Sequence, residues 1–146
     1  MSDLANSGAI PTLEALMRFS GARHRLIAHN IANISTPGFI QKDVSVQDFQ
    51  RSLAKAIESR REGAGGGLAG RLALESTDEV EIGPNGAMTL DPRTPHGGIL
   101  FHDRNNRDIE RLMQDNAENM GVFRVASELL RNRMQQLRDA IAERVS

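Results

Sequence analysis

A chain of 146 residues with no cysteine and a formal net charge of −1 has the size of one domain. It offers no disulfide framework or thiolate metal site, and its charge excludes a surface built mainly for nucleic acid. Aromatic residues are 3% of the chain, five Phe with no Trp or Tyr, which leaves little for a large core in its middle.

The first residues, Met1-Ser2-Asp3-Leu4-Ala5-Asn6, lack the basic and apolar regions of a secretory signal, so none is expected. An amphipathic run then begins near Thr12. Leu13, Leu16, Met17, Ile27, Ile31 and Ile34 share one side of a helix by their spacing. The run closes on Asn30-Ile31-Ala32-Asn33-Ile34-Ser35-Thr36-Pro37-Gly38-Phe39. Asparagine suits a helix end because it tolerates the left-handed conformation. Pro37 and Gly38 fit positions i+1 and i+2 of a type II turn, where proline presets φ and glycine takes the positive φ. A long helix ending in a rigid corner is predicted.

Ser45-Val46-Gln47-Asp48 resembles a capping box with Asp as its fourth residue. Val46, Phe49, Leu53, Ala56 and Ile57 then mark a shorter amphipathic helix ending near Glu62. Gly63 to Gly70 is Gly-rich and reads as a linker or loop. Two short strands, Glu79–Ile82 and Ala87–Leu90, flank Gly83-Pro84-Asn85-Gly86, which reads as a hairpin turn. So small a hairpin needs support from a neighbour. Asp91 to Gly98 is irregular.

From Asn106 to Arg144 there is no proline, and Gly121 is the one glycine. Ile109, Met113, Asn116, Met120, Phe123, Ser127, Leu130, Met134, Leu137 and Ile141 follow one another at alternating steps of four and three. This is a heptad a/d stripe with two polar positions, Asn116 and Ser127, which weaken a two-helix seam but can set register and partner choice. The helix would be roughly 60 Å long. It needs the N-terminal helix, other copies of the chain, or both. A helical hairpin in an ordinary bundle and assembly into a fibre or tube both satisfy the pattern. The fold class expected is mainly α. Long terminal helices form an antiparallel, coiled-coil-like pair, and a short irregular and β-hairpin segment lies between them.

Little chemistry stands out. Gly65, Gly67 and Gly70 match G-x-G-x-x-G, but no strand precedes them and no helix follows, so a linker is the better reading. His24 lies near the apolar stripe and reads as a polar packing position. His96 and His102 have Asp103 nearby but no third ligand at a recognisable spacing. Asn33-Ile34-Ser35 has the pattern of a glycosylation sequon, and its place at a helix end favours a structural role. No catalytic constellation, cofactor site or metal site is expected, and no run is long and apolar enough to span a membrane.

Two stretches resemble a known family. Ala28-His29-Asn30-Ile31-Ala32-Asn33, then Ser35-Thr36-Pro37-Gly38-Phe39, is similar to the N-terminal motif of flagellar rod, hook and hook-associated proteins. Asp43-Val44 and Phe49 extend the likeness. Asn105-Asn106-Arg107-Asp108-Ile109-Glu110-Arg111-Leu112-Met113, with an ending on Ala140-Ile141, resembles the flagellar basal-body rod proteins, and among them the proximal-rod FlgB family. Phe39 stands where Tyr is more usual, and Ile40 where a basic residue is common.

The resemblance implies a non-enzymatic structural subunit, stacked helically into a hollow shaft across the bacterial periplasm and exported through the flagellar type III channel without a cleaved signal. It implies residues 1–62 and 104–146 as one assembly domain around a middle segment at 63–103. Implied partners are other copies of the chain, FlgC-like and FlgF-like rod proteins, and a FliE-like adaptor with the export gate at the base. Another axial rod protein, or a cytoplasmic coiled-coil adaptor, is the alternative.

Overall fold

A computed structural model describes residues 8–63, 71–94 and 107–145. The proposed linker at 64–70, His96, His102, Asp103 and the first seven residues lie outside the described residues. The chain is mainly helical, with long helices at both ends and a small antiparallel hairpin between them. In order, α1 spans Ile10–Asn33, α2 Val46–Gly63, β1 Val80–Ile82, β2 Met88–Leu90 and α3 Arg107–Val145.

Helix α1 starts without a side-chain cap, but Pro11 stands in its first turn, where the missing N–H costs nothing. Arg60 Nη1 of α2 donates to the Gly8 carbonyl at 2.7 Å, tying this entry to the second helix. The start of α2 is capped as expected on one arm: Asp48 N–H donates to Ser45 Oγ at 3.1 Å. The other arm of a capping box is absent. Glu79, just before β1, accepts from the Ser45 N–H at 2.6 Å instead, and Asp48 pairs with Arg51. A carboxylate distant in sequence thus completes the cap and anchors the hairpin to α2.

The main core joins α1, α2 and the middle of the chain. Phe19 and Phe49 stack with ring centroids 3.9 Å apart, and Ala15, Val44, Leu53 and Val80 close round them. Leu72, Leu74, Ile82, Met88 and Leu90 pack on its rim. The hairpin therefore finds its support within the chain. Its register pairs Val80 with Leu90 and Ile82 with Met88, and Gly86 turns it at φ +70°. Arg18 of α1 holds the tip, with Nη1 donating to the Gly86 carbonyl at 2.8 Å.

Helix α3 packs against the opposite side of α1. Asn119 Nδ2 donates to the Ser20 carbonyl at 2.8 Å, and the Phe123 ring lies beside Gly21. Asp115 of α3 and Arg23 of α1 feel each other's charge. Helix α1 is covered on two sides, which explains buried positions off the expected stripe: Ala15, Phe19, Ser20, Ala22, Arg23 and Asn30.

Candidate functional site

Backbone hydrogen bonds and two asparagine side chains build the corner after α1. Phe39 N–H donates to the Thr36 carbonyl at 3.1 Å, and Gly38 has φ +74°. With Pro37 at i+1 this is the expected type II turn. No heavy atom comes within 4 Å of where a Gly38 Cβ would stand. Glycine is required there by backbone conformation and not by space.

The asparagines act differently from the sequence expectation. Among the described residues no non-glycine has positive φ, so neither asparagine is left-handed. Asn33 Nδ2 donates to the His29 carbonyl at 2.8 Å, satisfying a helix-end carbonyl from its side chain. Asn30 is buried. Its Nδ2 donates to the Lys42 carbonyl at 2.6 Å, and its Oδ1 accepts from the Lys42 N–H at 3.3 Å. Asn30 therefore pins the returning chain against α1. Phe39 meets the His29 ring edge-on at 5.7 Å, while Ile40 is 63% exposed.

One turn of chain further on lies a charge cluster that periodicity alone does not reveal. Arg23 is buried and grips Asp43 with two hydrogen bonds, Nε to Oδ1 at 3.0 Å and Nη2 to Oδ2 at 2.6 Å. Asp43 exchanges backbone hydrogen bonds with Arg93, both at 3.0 Å, which ties down the chain after β2. Burial works against the Arg23 charge, but the bond to Asp43 and the nearby Asp115 and Glu118 carboxylates outweigh it and hold its pKa above the ordinary guanidinium value. On α3, burial pushes the Asp115 carboxyl above its ordinary value, helped by Asp43 and opposed by Arg23.

The expected packing residues divide between two environments. On α1, Leu13 and Ile27 are buried, Leu16 packs on the main core, and Met17, Ile31 and Ile34 are half-buried. On α3, Asn116, Met120, Phe123, Ser127, Leu130 and Leu137 are half-buried. Ile109, Met113, Met134 and Ile141 are exposed. The buried positions of α3 are Leu112, Asn119 and Ala126, seven residues apart and each one residue ahead of a position on the heptad stripe. Of the large hydrophobic side chains left exposed among the described residues, all but Ile40 are on α3.

Among the described residues, no three His, Cys, Asp or Glu side chains are placed to share a metal ion. No described helix is long and apolar enough to cross a membrane. Two shallow grooves run between α1 and the hairpin, sharing Ala22, Arg25 and Met88. Both are open to solvent and bring together no reactive groups.

No family model matches the chain, and no solved structure does. Three curated relatives do. The flagellar basal body rod protein FlgB of Proteus mirabilis strain HI4320 is 33% identical over 91 residues, 61% of this chain and 62% of the relative. A second Proteus mirabilis FlgB is 33% identical over 91 residues, 61% of each chain. FlgB of Yersinia enterocolitica is 29% identical over 119 residues, 77% of each chain. These three likenesses support an assignment to the FlgB family of flagellar basal-body rod proteins. The chain spans about three fifths of the length of the Proteus relatives.

Proposed function

We propose that this chain is a structural, non-enzymatic subunit of the proximal flagellar rod. Copies stack with helical order into a hollow shaft that transmits torque and conducts export. The observation that carries this reading is where the apolar surface lies. Exposed large hydrophobic side chains are concentrated on one helix, and contiguous exposed apolar surface marks an interaction site. Contacts between unlike patches propagate without closing, as an open tube requires. The relatives are named as basal-body rod proteins, which supports a place in the rod at the flagellar base.

In this reading the neighbours are other copies, FlgC-like and FlgF-like rod proteins, and a FliE-like adaptor with the export gate. The subunit reaches the periplasmic rod through the type III channel without a cleaved signal. Residues 1–62 and 104–146 act as one assembly unit around 63–103.

The test is deletion of the gene in its source organism, followed by complementation. The wild-type chain should restore swimming and appear in purified basal bodies. Leu130→Asp or Leu137→Asp should block incorporation, because a carboxylate in an apolar contact is costly to desolvate. Arg131→Gln and Arg138→Gln, on exposed positions, should do much less. Swimming that survives deletion would refute the rod assignment.

A further inference from the structure

The hairpin has two outer edges, and the chain treats them differently. In an antiparallel pair, every second residue aims its N–H and C=O at the partner strand, and those between aim theirs away. The bonds from Gly83 N–H to the Ala87 carbonyl and from Asp91 N–H to the Glu79 carbonyl, both at 2.9 Å, fix which are which. Ala87, Thr89 and Asp91 face β1. Met88 and Leu90 therefore aim their backbone groups outward, as their partners Ile82 and Val80 do on the other side. The chain leading into β1 closes that strand's outer edge. The Val80 carbonyl accepts from the Thr77 N–H at 2.9 Å, the Val80 N–H donates to Thr77 Oγ1 at 3.1 Å, and the Ile82 N–H donates to Ser76 Oγ at 2.9 Å. The outer edge of β2 has no such cover. Among the described residues, no hydrogen bond is made by the backbone of Met88 or Leu90.

The open edge faces a wall of α1. Ala22, Arg25 and Leu26 line the far side of the groove opposite β2, which continues toward the hairpin tip past Arg18. The charged side chains that line it are these two arginines, with no carboxylate. Arg18 is engaged by Glu14 and the hairpin tip. Arg25 is exposed, and among the described residues it has neither an ion pair nor a hydrogen bond. The carboxylates of the hairpin stand elsewhere. Glu79 is held at the Ser45 cap. Val80, Ile82, Met88 and Leu90 pack on the core, so Glu81 and Asp91, at alternate positions, turn to the opposite face.

We propose that the β2 edge is a docking site for an extended, acidic segment of a partner protein, which adds a third strand to the hairpin and sets a carboxylate against Arg25. A row of unpaired backbone groups selects a strand, since a helix has already paired its own. The arginine selects an acidic strand, because complementary charge chooses partner and orientation. Ala22 on the α1 wall leaves room for side chains of the added strand. This inference does not rest on the rod reading, and it gives the hairpin a role of its own.

The probe is a capped hexapeptide of alternating valine and glutamate, titrated into the isotope-labelled full-length chain. The amide resonances of Met88 and Leu90 should shift, and their exchange with solvent should slow at saturation. The Thr89 amide, already turned to β1, should keep its rate. Arg25→Glu changes an exposed side chain, and circular dichroism should show wild-type melting. This variant should bind the peptide several-fold more weakly, and a hexapeptide of alternating valine and lysine should recover the lost affinity on it. Failure of the valine–glutamate peptide to bind, slowed exchange at other amides in place of Met88 and Leu90, undiminished binding by Arg25→Glu, or no recovery with the lysine peptide would each overturn the proposal. Slowed exchange at Met88 and Leu90 on concentrating the chain without peptide would also overturn it, because a second copy would then be the occupant. Complementation of swimming by the wild type is scored separately. A chain that restores swimming while failing the peptide test retains the rod reading and loses only this inference.

Discussion

At the scale of single residues, Gly38 carries a requirement unrelated to crowding. Its φ of +74° penalises any L side chain by about 1–2 kcal/mol, and a β-branched one more. Gly38→Ala should therefore lower the melting temperature despite the empty space around it, and Gly38→Val should lower it further. Thermal melts of both variants check this. Asp43 is held by Arg23 in a partly buried pair, and removing one partner strands the other. Asp43→Ala should cost about 3–5 kcal/mol in a denaturant titration. Asp115 works in the opposite sense. Its pKa is raised by burial, with Asp43 and Glu118 adding to the effect, so the folded state holds the proton more tightly than the unfolded chain does. Its contribution is fully present below the ordinary Asp value of about 3.9 and is lost as pH rises through the higher folded value. Asp115→Asn should melt above the wild type at pH 7, and the gap should shrink as the pH falls toward about 4.

At the scale of elements, the seam between α1 and α3 is held by small and polar groups. Asn119 is buried and donates to the Ser20 carbonyl, and a buried polar partner in a helical seam sets register more than it adds stability. Asn119→Ala should destabilise the chain by about 1–2 kcal/mol. Asn119→Leu should keep the stability but loosen the register, read as broadened amide resonances along α3. The same seam shows what the sequence can and cannot tell. Helix lengths, the turn at Pro37 and Gly38, the Ser45 cap and the hairpin follow from local signals, since proline, glycine and capping residues act on the backbone within a few positions. The fully buried positions of α3 do not. Hydrophobicity points to Met113 and Met120, whereas the buried positions are Leu112, Asn119 and Ala126. Asn119 reaches the Ser20 carbonyl and the Phe123 ring lies beside Gly21, and that complementarity is a property of the pair. Arg23 with Asp43, and Glu79 at the Ser45 cap, escape sequence reading for the same reason: each bond joins residues about 20 or more positions apart.

At the scale of the whole molecule, α1 is the shared wall of two assemblies. One side closes the phenylalanine core with α2 and the hairpin, and the other side receives α3. This arrangement has a mechanical consequence. The long helix leans chiefly on α1, so a force on α3 reaches the rest of the subunit mainly through that one interface. A pull along the helix axis loads the Asn119–Ser20 bond and its neighbours together, in shear. A pull across the axis opens the same interface from one end, a contact at a time. The subunit should therefore be stiff against sliding and compliant against prying. A shaft whose subunits lie with α3 near the direction of load would work in the stiff mode.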